Sequence, residues 1–150
     1  MAYQSMDEII DINVGLEERF VWFLKHVRPK FRDEQSKHML QTLLSRTRED
    51  LLKLEKVKEN YRERKEFVKN VPHVRIEDTI PCIDQEKSWS AQKLFEQILN
   101  YEDTHLKFYQ QLFAVVSFEH SRDICESMIK FKVEQIKWIT ALERDHELSF

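Results

Sequence analysis

The sequence predicts an all-α protein, a single four-helix bundle domain over residues 1–150, and three observations carry that prediction. The chain of 150 residues contains one glycine and three prolines, while 34% of it is charged. Sheets need turns, and turns are built mostly from Gly, Pro, Asn and Asp, so this composition favours long helices. Four stretches repeat apolar residues every three or four positions, as amphipathic helices do. The links between them run short, long, short, the connectivity of two helical hairpins joined by one long crossover.

The first helix starts near Asp7, with Ser5 or Asp7 as its cap and Glu8 in the first turn, and stops before Pro29. Its apolar stripe is Ile9, Ile12, Leu16, Phe20, Leu24 and Val27, with Glu17 beside it. Gly15 costs about 1 kcal/mol inside a helix, which points to a close approach of another segment to the backbone there. Residues 28–32 lead to a second helix, capped near Asp33 and running to about Phe67. Leu40, Leu44, Thr47, Leu51, Leu54, Val57 and Tyr61 face inward on it. The distal stretch EKVKENYRERKEF alternates charges at helical spacing and reads as a solvated, salt-bridged face.

Residues 70–86 hold two of the three prolines and read as extended chain, because each X-Pro bond pushes its preceding residue out of the α region. Antiparallel neighbours need only about 2–8 linking residues. Residues 68–87 are therefore expected to cross over along the bundle, leaving the second and third helices parallel. Ser88 or Ser90 caps the third helix, whose stripe is Leu94, Ile98, Glu102, His105, Tyr109, Leu112 and Val116. After a turn over residues 117–121 the last helix opens near Asp123. It presents Ile124, Met128, Phe131, either Glu134 or Gln135, Trp138 and Leu142, and two registers are open: Glu134 with Lys137 inward, or Gln135 with Trp138.

The net charge of −3, with both signs interspersed, gives no field to attract nucleic acid or an anionic membrane. No apolar run approaches ~18 residues, and the opening MAYQSMDEII is acidic, so neither a membrane span nor a signal peptide is expected and the location predicted is cytoplasmic. Cys82 and Cys125 are too few and too scattered for a zinc site or a disulfide framework and read as free thiols. There is no signature of haem, flavin or nucleotide binding, and no nucleophile paired with a base. Trp22 falls off its helix stripe beside Val21, which predicts a homodimer through that face.

Each helix carries polar residues where its apolar stripe should continue: Glu17 in the first, Thr47 and Asp50 in the second, Glu102 and His105 in the third, Glu134 in the fourth. Asp and Glu are almost never fully buried unless compensated, so polar groups at matched height in all four helices predict a buried site. Carboxylates with an imidazole suit iron or manganese. Glu17, Asp50, Glu102, His105 and Glu134 are the candidate ligands, one fewer than the six of a di-metal carboxylate bundle.

The segment YEDTHLKFYQQL, with Glu102 followed by Phe108-Tyr109, resembles the rubrerythrin-like branch of the ferritin-like superfamily. There the first and third helices carry Glu and then Phe-Tyr, and the second and fourth carry Glu-x-x-His. Glu17 with Phe23-Leu24 repeats the interval in the first helix, which hints at internal duplication. Thr47 and Asp50 stand in place of the second-helix Glu and His, Lys137 stands in place of the fourth-helix His, and no rubredoxin-like cysteine quartet is present. The resemblance implies a metal-dependent oxidoreductase or iron-handling bundle. The departures equally allow a non-enzymatic interaction or structural module whose polar layer is satisfied internally, for instance by Glu134 with Lys137 or by Glu17 with Arg48.

Overall fold

A computed structural model describes residues 3–61, 66–81 and 90–148. Four long helices dominate: α1 (Met6–Val27), α2 (Glu34–Tyr61), α3 (Ala91–Val115) and α4 (Glu119–Leu148). Two short strands, β1 (Tyr3–Ser5) and β2 (Phe67–Lys69), pair antiparallel with Gln4 opposite Val68.

The helix starts follow local capping chemistry. Ser5 Oγ accepts from the Glu8 amide, Asp33 Oδ2 from the Ser36 amide at 2.8 Å, and Ser90 Oγ from the Lys93 amide at 3.1 Å. Each supplies a partner to an amide that the first turn cannot satisfy. A 3-10 turn at Arg28–Lys30, with Pro29 in its first residues, closes the α1–α2 hairpin.

Several boundaries differ from those the sequence predicts. Helix α2 is described as far as Tyr61, and Phe67, where the sequence reading put the end of that helix, instead opens a strand, Phe67–Lys69, that pairs with the N-terminal strand, with Asn70 at φ 60 just beyond it. Glu66 reinforces that clasp: its carbonyl accepts from the Met6 amide and its carboxylate from Ser121 Oγ at 2.9 Å. Helix α4 starts four residues before Asp123, with the Arg122 amide bonded to the Phe118 carbonyl. Among the described residues, apart from the helix's own backbone, nothing lies within 4 Å of where a Gly15 Cβ would stand, so none of them makes the expected close approach. Cys82, Ser88 and Trp89, and the side chains of Tyr61 and His146, lie outside the described residues.

Contacts fix the helix directions. Asp11 of α1 pairs with Lys58 near the end of α2, and Arg28, just beyond α1, bonds Gln41 near the start of α2, so these helices are antiparallel. Asn13 meets His105 while Glu17 meets Tyr101, so α1 is antiparallel to α3 as well. Helices α2 and α3 therefore run the same way. Between them, Val68, Ile76 and Ile80 of the connecting chain are buried in the common core.

That core draws Met6, Ile9, Phe20, Phe23 and Leu24 from α1, Leu40, Leu43 and Leu54 from α2, and Leu94, Phe95, Ile98 and Leu112 from α3. Each fully buried side chain of this size contributes about 1.5–3 kcal/mol relative to exposure. Ile12, placed on the α1 stripe by the sequence reading, is 52% exposed, because the buried face runs through Asn13, Leu16 and Glu17 instead.

Candidate functional site

The mid-bundle level is polar and buried. Asn13, Glu17, Thr47, Asp50, Glu102, His105, Lys132 and Gln135 are all buried, from four different helices. Four of the five predicted site residues, Glu17, Asp50, Glu102 and His105, lie in this layer. Glu134 does not. It is on the exposed face of α4, as is Lys137, and Gln135 is the buried neighbour. Of the two open registers, the one that turns Gln135 inward is observed, with Trp138 half-buried.

The fourth helix contributes a residue that the sequence reading missed. Lys132, with no exposed surface, donates to Glu17 Oε1 at 2.6 Å, and its Nζ stands 3.1 Å from Glu102 Oε2. The second contact is at ion-pair distance but off line for a hydrogen bond, since neither Glu102 oxygen has an aligned donor. Glu17 Oε1 also accepts from Tyr101 Oη at 3.0 Å and faces His105 Nδ1 at 3.0 Å. Glu134, Lys137 and Arg48 all face outward, so neither Glu134 with Lys137 nor Glu17 with Arg48 supplies an inward pairing for the buried layer.

Asn13 sets the state of the His105 ring. Its amide Nδ2 donates to the Ile9 carbonyl at 2.7 Å, which turns Oδ1 toward His105 Nε2 at 2.6 Å. Nε2 must then carry the proton, as assigned from this network, and a neutral ring presents a lone pair at Nδ1. The ring is also held by packing, edge-on to Tyr101 at 5.6 Å and stacked on Tyr109 at 4.9 Å. Thr47 Oγ1 bonds back to the Leu43 carbonyl and takes no part in the cluster's ion pairs.

Burial and charge act on each titratable group. Burial pushes the Glu17 carboxyl up, but the Lys132 ammonium beside it outweighs burial and holds Glu17 at about 2. For Glu102, burial wins over Lys132 and, with the Glu17 charge, raises it to about 7. Asp50 is likewise raised to about 7, by burial and then by Glu17. Burial and the Lys132 charge lower His105 to about 4, keeping the ring neutral. Burial opposes the charge on Lys132 too, yet Glu102, Glu17 and Asp50 together hold its ammonium protonated well above the ordinary lysine range. The layer at neutral pH is a Lys132–Glu17 ion pair with protonatable carboxyls at Glu102 and Asp50.

This donor set does not fit a metal pair. A fixed ammonium stands between the carboxylates of α1 and α3, and no group of three or more His, Cys, Asp or Glu among the described residues is arranged to hold a metal ion. A cavity of about 140 Å³ between α1 and the connecting chain reaches Asn13, Leu16 and Phe108, but Glu17, Glu102 and Lys132 do not line it. No helix among the described residues is long and apolar enough to cross a membrane.

Compared with protein-family models, curated proteins and solved structures, the chain matches none.

Proposed function

We propose that this chain is a ferritin-like bundle in which the Lys132 ammonium takes the place of a metal pair, and that it serves as a non-enzymatic structural or protein-interaction module. The single observation that carries this reading is Lys132 Nζ within 2.6 Å of Glu17 Oε1 and 3.1 Å of Glu102 Oε2. A cation tethered to the chain stands between the first- and third-helix carboxylates, where such a bundle would otherwise hold a bound ion. The parallel course of α2 and α3 and the long link between them support the ferritin-like topology.

A homodimer through the α1 face around Trp22, 57% exposed and stacked on His26, belongs to the same proposal. So does a cytoplasmic location, where the free thiol of Cys125 stays reduced.

Thermal melts with added iron(II) or manganese(II) and with a chelator test the reading. The expected Tm is the same in all three, because a ligand that does not bind the native state adds no stability. A Tm that climbs with metal concentration would contradict it.

One observation favours a second reading. Glu17 Oε2, Glu102 Oε1 and Asp50 Oδ2 accept no hydrogen bond, and His105 Nδ1 has no aligned partner. Carboxylate oxygens with an imidazole nitrogen suit iron or manganese. An ion there would have to displace Lys132, and would make the protein a metal-dependent oxidoreductase or iron-handling bundle. Metal-dependent stabilisation that disappears in Glu102→Ala is the result this reading requires.

A further inference from the structure

Lys132 and Glu102 are an amine and a carboxyl group held against each other where water is excluded. Both side chains are buried, and Nζ is 3.1 Å from Glu102 Oε2 without the alignment of a hydrogen bond. The same nitrogen donates to Glu17 Oε1 at 2.6 Å, which is placed to take a proton. Aromatic rings enclose the group, with Tyr101 at 5.5 Å and Phe131 at 5.8 Å from Nζ. We propose that Lys132 and Glu102 condense into an intramolecular amide bond, with Glu17 carrying the proton.

The step balances without any co-reactant. The Lys132 ammonium gives one proton to Glu17, an uphill transfer from the resting ion pair that makes the step slow, and the freed lone pair attacks Cδ of Glu102 in its neutral acid form, making the N–C bond. Glu17 returns its proton to the departing hydroxyl and takes one from the amine nitrogen. The C–O bond then breaks and one water leaves. Nothing is oxidised or reduced. The products are an amide N–H, one water and a protonated Glu17.

Two physical terms favour it. In bulk water an amine and a carboxylic acid do not condense appreciably, but groups held in contact can have effective molarities of roughly 10⁵–10⁸ M. The product also carries no charge on Lys132, Glu17 or Glu102, which removes the desolvation penalty of a buried ion pair. Charge balance supplies the neutral acid, because Glu17, Glu102 and Asp50 all act on the one Lys132 ammonium and cannot all be ionised beside it at low cost. A single turnover in the lifetime of each molecule is sufficient, so no substrate channel is required. The proposal rests on the contact geometry and not on the absence of bound metal, and mass and metal content are read separately.

The test is the intact mass of the full-length protein under denaturing conditions, after prolonged incubation in the folded state. The expected mass lies below the sequence mass by one water. Tryptic digestion should leave the bond after Lys132 uncut and join its peptide to the one containing Glu102. Glu102→Gln should lose one ammonia instead of one water, and Lys132→Arg should keep its full mass. Wild type at full sequence mass, with circular dichroism showing it folded, would overturn the proposal. A folded Glu17→Gln variant that still loses water would overturn the role given to Glu17.

Discussion

Lys132 Nζ donates a 2.6 Å hydrogen bond to Glu17 Oε1, joining the last helix to the first across 115 positions of sequence. Both side chains are fully enclosed, so the pair acts on stability through desolvation as much as attraction. Removing one partner strands the other charge in a low-dielectric core.

Lys132→Met, which keeps most of the volume and removes the charge, is accordingly expected to destabilise the fold by about 3–5 kcal/mol at neutral pH. Urea unfolding of wild type and variant measures it. A loss within experimental error of zero would mean that Glu17 is satisfied without the ammonium.

The pH dependence of stability should show two opposing slopes. Asp50 is raised to about 7 from an ordinary 3.8, so its contribution is fully present below the lower value and is lost as pH rises through the upper one. His105 is lowered to about 4 from 6.5, so its contribution is present above 6.5 and is lost as pH falls through 4. Between these limits each group changes stability by roughly 1 kcal/mol per pH unit, in opposite directions. Asp50→Asn should therefore gain stability from pH 4.5 to 6.5 relative to wild type, and His105→Gln should lose it. Chemical denaturation across that range checks both signs, and parallel profiles for all three proteins would refute the assignment.

Asn13→Leu removes the acceptor that orients His105 and leaves Nε2–H buried without a partner. The expected cost is about 1–3 kcal/mol. Proton NMR of wild type should show a slowly exchanging imidazole N–H that the variant lacks. Its presence in the variant would show that something other than Asn13 holds the ring.

Trp22, stacked on His26 at 4.1 Å, remains more than half exposed in the single chain. Burial of an aromatic of this size in a twofold interface predicts a dimer that Trp22→Glu weakens. Sedimentation velocity over a range of concentrations decides it. A monomer at every concentration would remove the dimer from the account.

Much of this fold was legible in the chain, for identifiable reasons. Ser5, Asp33 and Ser90 mark helix starts through capping chemistry that is local in sequence, and Glu17, Asp50, Glu102 and His105 announce burial by sitting in or beside apolar stripes. Lys132 was illegible by type, since a lysine in the run KFKVEQ reads as solvated. Its spacing held a signal, however. Cys125, Met128, Lys132, Gln135 and Ile139 alternate steps of three and four and are all buried, whereas the stripe through Phe131 and Glu134 lies beside that face. The strand at Phe67–Lys69 was hidden for another reason. Its partner is Tyr3–Ser5, and pairing so distant in sequence leaves no periodicity within either segment.

Elemental analysis of the wild-type protein, expressed with added iron and manganese and purified without chelator, tests most directly whether Lys132 stands in for metal. The account predicts iron and manganese at background in folded protein. Metal approaching one ion per chain, and lost in Glu102→Ala, would contradict it.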